Sequence, residues 1–292
     1  MHHRVGFWAA VLTVLVAATF AVAGITTPAR SGPFCWPTTW ACVPAPYVDV
    51  AGFIPGDYLW LIPGLLLVPI FVVLVAAIHA DAPEPRRIFS GIALAFAVAY
   101  AVVIGVDYFV QVAVVIPSLQ AGETQGLSLF TQYNPHGLFI AGEAFGYLAM
   151  SLALLFTAPV FAGGRIERAI RWLFIGGFVL AAAAFMGFWI VGGDLIAFEV
   201  SVLSINWIVL IASGVLLALV FRRAARLARS LPQRDRWPAR RPDGPGRVDP
   251  MRGRCLSCVR RRPERLDLRG RVSGRSRSAA PGAGPSSPPP VS

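Results

Sequence analysis

The chain has 292 residues, of which 56% are hydrophobic and only 14% are charged, and its mean hydropathy is +0.63. This composition excludes an ordinary water-soluble globular domain and is typical of a protein that crosses a membrane several times. The formal net charge of +11 is concentrated after position 221, where 19 Arg stand against 5 acidic residues. We therefore expect an all-α, polytopic membrane domain over residues 1–231 and a disordered, Arg/Pro-rich cytoplasmic tail over residues 232–292.

Six apolar stretches are long enough to span a bilayer core of about 30 Å, which takes about 20 helical residues. Backbone polar groups in lipid must be satisfied within the segment, so each stretch is predicted to be a helix. The predicted spans are 6–27, 58–78, 88–116, 135–161, 170–191 and 197–221. Ten Arg residues fall on one side of this threading and only Arg30 falls near the other. By the positive-inside rule, this predicts an inner (plasma) membrane protein with both termini in the cytoplasm.

The first predicted span leaves two interpretations open. MHHR, an apolar run and then Ala21, Val22 and Ala23 are similar to a secretory signal with a small-residue cleavage site. The apolar run continues to Ile25, however, which is longer than a usual signal core and favours a retained helix. Cleavage would leave five spans with unchanged orientations.

The segment CWPTTWAC lies in the loop that follows the first span. An oxidising exterior permits a disulfide between Cys35 and Cys42, with two free thiols as the alternative. Trp36 and Trp40 are expected near the level of the lipid headgroups, where amphipathic aromatic side chains are common.

Polar residues within the third and fourth predicted spans are the first candidate functional residues. Asp107 and Gln111 are four residues apart and therefore share one helix face. Asn134 followed by Pro135 predicts a helix start, with Asn at the N-cap. These positions put His136 at the outer interface and Glu143 about 10 Å deeper, by the helical rise.

A carboxylate near the centre of a membrane helix costs about 2.5–3.5 kcal/mol and usually faces the bundle interior or water. Consecutive antiparallel spans are usually neighbours, so Asp107 and Glu143 are expected at similar depths. The sequence therefore predicts an outward-facing site for a proton, a cation or a small polar solute, formed by Asp107, Gln111, Glu143 and His136. The alternative is a protonated carboxyl group that ties helices together in a non-catalytic scaffold or accessory subunit.

The sixth span carries a second set of polar residues. Glu199, Asn206 and Ser213 recur every seven residues and so form one narrow stripe. Glu199 is expected to be a solvated carboxylate at a helix start, where acidic residues are favoured. Asn206 and Ser213 are expected to form hydrogen bonds between helices.

Enzymatic chemistry and cofactors find no support in the sequence. It has no HExxH, GxSxG or phosphate-loop pattern, and its four His are scattered, so we expect no catalytic residue, no metal and no cofactor. Cys255 and Cys258 lack the further ligands that zinc needs. The expected partners are the lipid bilayer, anionic lipid headgroups near the basic residues that begin the tail, and an unidentified protein; nucleic acid is not expected.

Overall fold

The computed structural model describes residues 2–38 and 41–230. Over this range the chain is helical without any strand, and six helices are long and apolar enough to cross a membrane. The expected all-α membrane domain of six spans is confirmed. The predicted disordered tail over 232–292, its two Cys residues and Trp40 lie outside the described residues.

Seven helices build the domain. They are α1 (His2–Thr26), α2 (Leu61–Asp81), α3 (Arg87–Val110), α4 (Ile116–Ala121), α5 (Leu138–Thr157), α6 (Arg165–Val191) and α7 (Leu195–Ser230). A π-helical turn, Gln111–Val115, joins α3 to α4, so that the two form one span. The turn lies just before Pro117, which has no N–H to continue the α-helical hydrogen bonds.

The start of α5 differs from the prediction. This helix begins at Leu138 with Gly137 as its N-cap, so the predicted N-cap at Asn134 is wrong. Asn134 instead shapes the preceding turn, where its Oδ1 accepts a hydrogen bond from the His136 N–H at 3.0 Å and its Nδ2 donates to the Ser128 carbonyl at 2.8 Å. Asn commonly competes for turns in this way through its side chain.

Antiparallel spans give the bundle two ends, which we name by their residues. The disulfide end holds residues 27–38, 41–60 and 122–137 and the starts of α2, α5 and α7. The arginine end holds the start of α1 and the end of α7, together with the α2–α3 and α5–α6 connections. Nine Arg with described side chains lie at or near this end: Arg4, Arg86, Arg87, Arg165, Arg168, Arg171, Arg222, Arg223 and Arg226.

Helix α5 is the most buried of the six spans, and it packs against α3, α6 and α7. Helix α1 packs against α2 and α7. Its contact face is set by small residues and one ring, since Ala10, Thr13, Ala17 and Phe20 are all buried at helical spacing.

Candidate functional site

Glu143 and Glu199 form a buried acidic pair between α5 and α7. Each residue is only 4% exposed, and the two carboxyl groups are within hydrogen-bonding reach of each other. Both lie in the second turn of helices that start at the disulfide end. Two ionised carboxylates this close repel each other, so a proton or a cation between them stabilises the arrangement.

A chain of buried hydroxyl groups connects this pair to α3. The Tyr108 hydroxyl donates a hydrogen bond to Glu143 Oε1, and it lies 3.1 Å from the Tyr147 hydroxyl. The Tyr100 ring packs against Tyr147, with 5.7 Å between ring centroids. All three tyrosines are fully buried, so the Tyr108 hydroxyl holds the Glu143 carboxyl without competition from water. The Tyr100 hydroxyl has no hydrogen-bond partner among the described residues.

Asn206 fixes the separation of α5 and α7 beneath the acidic pair. Its Nδ2 donates to the Tyr147 carbonyl at 3.1 Å and to Ser151 Oγ at 2.9 Å, and Ser151 Oγ is also 3.0 Å from the Tyr147 carbonyl. The predicted interhelical role of Asn206 is therefore observed. The prediction for Ser213 is wrong, because Ser213 Oγ donates to the Val209 carbonyl within α7 itself, at 2.6 Å.

The acidic pair lines a cavity of about 270 Å³, here called the acidic pocket, between α1, α5 and α7. Much of its wall is aromatic, and the rings concerned are Phe20, Trp60, Phe139 and Trp207. Its mouth reaches the surface, since the lining residues Ile25 and Val200 are 77% and 39% exposed. None of the described residues that line the pocket is Arg or His.

Trp207, one of the residues that line the pocket, has a hydrogen-bond donor that is not used. The residue is 7% exposed, and its buried Nε1 has no acceptor among the described residues. A buried N–H without an acceptor costs free energy, so native proteins seldom leave one unsatisfied. A bound molecule with an acceptor atom would satisfy it.

An ion pair closes the disulfide end above the acidic pocket. Arg30 binds Asp57 through Nε and through Nη2, the latter 3.2 Å from Asp57 Oδ1. The two side chains are only 12% and 6% exposed. Tyr133 donates to Asp57 Oδ2 at 3.1 Å, and Gln132 donates to the Asp57 carbonyl at 3.1 Å. We call these four residues the Arg30–Asp57 clasp; Gln132 and the neighbour of Arg30, Ala29, both line the pocket.

Electrostatics strengthens this clasp. Burial is the main cause that raises the pKa of the Tyr133 hydroxyl far above its ordinary value, and the neighbouring Tyr58 and Asp57 add to the effect. Tyr133 therefore stays protonated and keeps donating to Asp57. The Arg30 guanidinium also stacks on the Phe53 ring, with Cζ 3.5 Å from the ring centroid, which adds a cation–π contact.

The Cys35–Cys42 disulfide lies in the loop that begins with Arg30. The two Cα atoms are 6.0 Å apart in a closed S–S bond. Immediately after the ring, the Val43 N–H donates to the Arg30 carbonyl at 2.8 Å. The disulfide thus shortens the loop next to the clasp, while Trp36 within the ring is 65% exposed.

The structure does not unite the four residues of the sequence-based hypothesis in one cavity. Asp107 and Gln111 lie together in a groove between α3 and α5, which we call the Asp107 groove. Gln111 Nε2 donates to the Phe130 carbonyl at 2.6 Å, and Asp107 Oδ2 is buried without a partner among the described residues. His136 is exposed in the turn before α5. Only Glu143 of the four lines the acidic pocket.

Glu199 is the residue that sequence reasoning misjudged. It was expected to be solvated, yet it is buried against Glu143 because its helix starts inside the bundle contact with α5. Two matching stripes carry the signal that identifies the pair. Glu143, Tyr147 and Ser151 follow one face of α5, and Glu199 and Asn206 follow one face of α7.

Metal binding has no cluster of ligands to support it in the part of the chain that the structure describes, where no three His, Cys, Asp or Glu side chains converge. Comparisons of the chain with protein-family models, with curated proteins and with solved structures find no match.

Proposed function

We propose that this membrane protein binds a small organic cation in the acidic pocket. The observation that carries the proposal is the buried Glu143–Glu199 pair, which faces a cavity with aromatic walls and no basic lining residue. Carboxylates supply the countercharge, and the faces of Trp and Phe rings attract a cation that is only weakly hydrated. Recognition of quaternary ammonium groups by aromatic cages rests on the same physics.

The pocket suits an organic cation better than a metal ion. Hard divalent cations prefer six or more oxygen ligands, whereas this pocket offers two carboxyl groups among largely apolar neighbours. Its volume of about 270 Å³ is also more than an inorganic ion needs. Sites for drug-sized ligands start at about 300 Å³, so the expected ligand is smaller than these. The free Trp207 N–H favours a ligand that also carries an acceptor atom, such as a hydroxyl oxygen.

The proposed setting is the inner (plasma) membrane, with the arginine end in the cytoplasm. The Arg residues near the span ends support this orientation by the positive-inside rule, since Arg30 is the only Arg at the disulfide end among the described residues and is paired with Asp57. In this orientation the acidic pocket faces the cell exterior. The ligand would enter from outside, beside the Arg30–Asp57 clasp.

Choline is a suitable probe, because it combines a quaternary ammonium with a hydroxyl group. Calorimetric titration of the full chain in a neutral detergent is expected to show binding of choline and no binding of its uncharged carbon isostere, dimethylbutanol. If both molecules bind equally, the site is merely apolar and the proposal fails. If neither binds while the protein takes up a proton that Glu143→Gln abolishes, the pair is a proton site instead.

Variants locate the site. Glu143→Gln and Glu199→Gln are each expected to weaken choline binding at least about tenfold, because each removes one carboxyl group that can supply the countercharge. Asp107→Asn is the matched control, since it neutralises a carboxyl group at the same end that lines the Asp107 groove. Loss of binding in Asp107→Asn with retention in Glu143→Gln would overturn the proposal in favour of the groove.

A further inference from the structure

A basic cleft lies between the start of α1 and the end of α7, at the arginine end. Its volume is about 440 Å³, and its charged lining residues are Arg4, Arg222 and Arg226, next to His3. Among the residues that the structure describes, no Asp or Glu lines it. All three Arg are exposed, and none of them takes part in a salt bridge among the described residues. The cleft therefore presents three guanidinium groups without an identified counterion.

An apolar groove of about 490 Å³ adjoins this cleft on the outer surface of α1 and α2. Arg4 and Trp8 line both, so the cleft and the groove are continuous. Apart from Arg4 the groove is lined only by apolar residues: Val5, Trp8, Ala9, Leu12, Pro69, Ile70 and Val73. Val5, Trp8, Leu12 and Val73 are between 43% and 61% exposed, which is the condition of side chains that face lipid in a spanning helix.

We propose that the cleft and the groove together bind one anionic phospholipid. The phosphate of its headgroup would lie among Arg4, Arg222 and Arg226, since the planar fork of guanidinium N–H groups matches phosphate oxygens. One acyl chain would follow the apolar groove between α1 and α2, with the Trp8 ring at the junction. The site is distinct from the acidic pocket, which lies at the opposite end of the bundle.

Two features favour a lipid over a free anion. A soluble phosphate would gain nothing from the apolar groove, whereas a lipid fills both parts of the continuous surface. The position also fits, because the end of a membrane-spanning helix is where headgroups lie, and basic residues there are attracted to an anionic surface. The lipid would join α1 to α7, which are in contact along the bundle.

Trp8 allows the site to be tested in a bilayer. The full chain is reconstituted into phosphatidylcholine vesicles that contain increasing amounts of phosphatidylglycerol with brominated acyl chains, which quench nearby indole fluorescence. The Trp8 signal is the difference between the wild type and Trp8→Phe. We expect it to be quenched at bromolipid fractions well below those needed when brominated phosphatidylcholine is the only quencher.

Two triple variants that remove the same charge distinguish a specific lipid site from unspecific electrostatic attraction of anionic lipid. The triple variant Arg4→Gln, Arg222→Gln, Arg226→Gln is expected to raise the phosphatidylglycerol fraction for half-quenching at least about tenfold. The control variant, Arg165→Gln, Arg168→Gln, Arg171→Gln, removes the same charge at the same end from α6, outside the cleft, and is expected to leave that fraction unchanged. Equal effects of the two variants would overturn the proposal, because the attraction would then be unspecific.

Inorganic phosphate provides the second arm of the experiment. Phosphate in the buffer is expected to leave the quenching by brominated phosphatidylglycerol almost unchanged, because it cannot occupy the groove. If millimolar phosphate displaces the lipid signal and raises the thermal stability of the detergent-solubilised protein, the cleft is a site for a free anion and the lipid assignment is wrong.

Discussion

Glu143 and Asp107 are acidic residues of neighbouring helices near the same end of the bundle, yet their surroundings differ in almost every respect. Glu143 accepts a hydrogen bond from Tyr108, faces Glu199 and lines the acidic pocket with its aromatic walls. Asp107 has an Oδ2 without a partner among the described residues, in a groove lined by exposed Val102, Val106 and Leu138. The helix face on which an acidic residue lies therefore indicates a binding site better than the depth of that residue in the membrane.

The surroundings of Asp107 differ from those of Glu143 because of the direction in which Asp107 points from α3. Tyr108 is fully buried and points to the bundle interior, whereas Asp107, one position earlier, is turned by about 100° around the same helix. The interior face of α3 is set by Tyr100, Ile104 and Tyr108 at four-residue spacing, all of them fully buried. Asp107 lies beside that stripe, at the edge where α3 meets α5.

The largest expected effect on the free energy of unfolding comes from the Arg30–Asp57 clasp. The clasp adjoins the acidic pocket and not the Asp107 groove. Asp57→Asn leaves the Arg30 guanidinium nearly buried without its countercharge, so we expect a loss of about 3 kcal/mol in the free energy of unfolding. Choline binding should weaken as well, because Gln132 and Ala29 line the pocket. Unfolding in mixed micelles with increasing SDS measures the stability, and calorimetry measures the binding.

The exposed pair of Arg87 with Glu84 is the control for this variant. Its side chains are 53% and 82% exposed, so Arg87→Gln should change the free energy of unfolding by less than about 0.5 kcal/mol. Equal losses in the two variants would mean that burial adds nothing to the Arg30–Asp57 contact. The clasp would then be an ordinary surface ion pair.

Substitution by Leu should change the free energy of unfolding in opposite directions at Asp107 and at Glu143. Asp107→Leu removes a carboxyl oxygen that has no partner, so we expect it to raise the free energy of unfolding by about 1–2 kcal/mol. Glu143→Leu deprives the Tyr108 hydroxyl of its acceptor and Glu199 of its partner, so we expect a loss of similar size. Thermal unfolding of both variants in one detergent decides the matter, and stabilisation by Glu143→Leu would contradict the proposed network.

The sequence predicts the spans well but the site only in part, for a physical reason. Apolar length alone identifies a membrane helix, so the six spans follow from composition, with differences only at ends such as the start of α5 at Leu138. The angular position of a polar residue depends on which helices touch. The contact between α5 and α7, which buries Glu199 against Glu143, joins two helices that are not consecutive in the chain.

Local irregularities of the backbone also escape the sequence analysis. The π-helical turn at Gln111–Val115 changes the faces that the residues after α3 present. Gln111 itself donates to the Phe130 carbonyl, in a turn far along the chain that the helical pattern does not indicate. Pro117 is a visible reason for an interruption, although it does not specify a π turn rather than a kink. Likewise, the charges in the sequence do not predict the Arg30–Asp57 ion pair, since it joins two distant segments of an irregular loop.

The hydroxyl chain offers a finer test of the Glu143 environment. Tyr108→Phe removes the donor to Glu143 and the contact with Tyr147, so we expect a loss of about 2 kcal/mol. Tyr147→Phe removes only the second contact and should cost less than about 1 kcal/mol. Both variants keep the ring, so packing is matched. Equal losses would show that the Tyr108 hydroxyl makes no special contact with the carboxyl group.

The smallest expected effect is that of Gly142→Ala, which tests whether the Asp107 carboxyl group lies over the backbone of α5. A Cβ added at Gly142 would come 3.2 Å from Asp107 Oδ2, so Gly142→Ala should displace the carboxyl slightly. Replacement of Gly by Ala inside a helix gains roughly 0.5–1 kcal/mol by itself. We expect the crowding to cancel most of that gain, which leaves a change below about 0.5 kcal/mol.

Gly176→Ala supplies the uncrowded reference for this test, since a Cβ there would have no neighbour within 4 Å. In an Asp107→Ala background, Gly142→Ala should recover the full gain that Gly176→Ala shows, and the difference between the two backgrounds gives the coupling energy. A coupling energy of zero would mean that the carboxyl group is directed elsewhere. Asp107 would then be free to turn toward Glu143, and the contrast between the pocket and the groove would disappear.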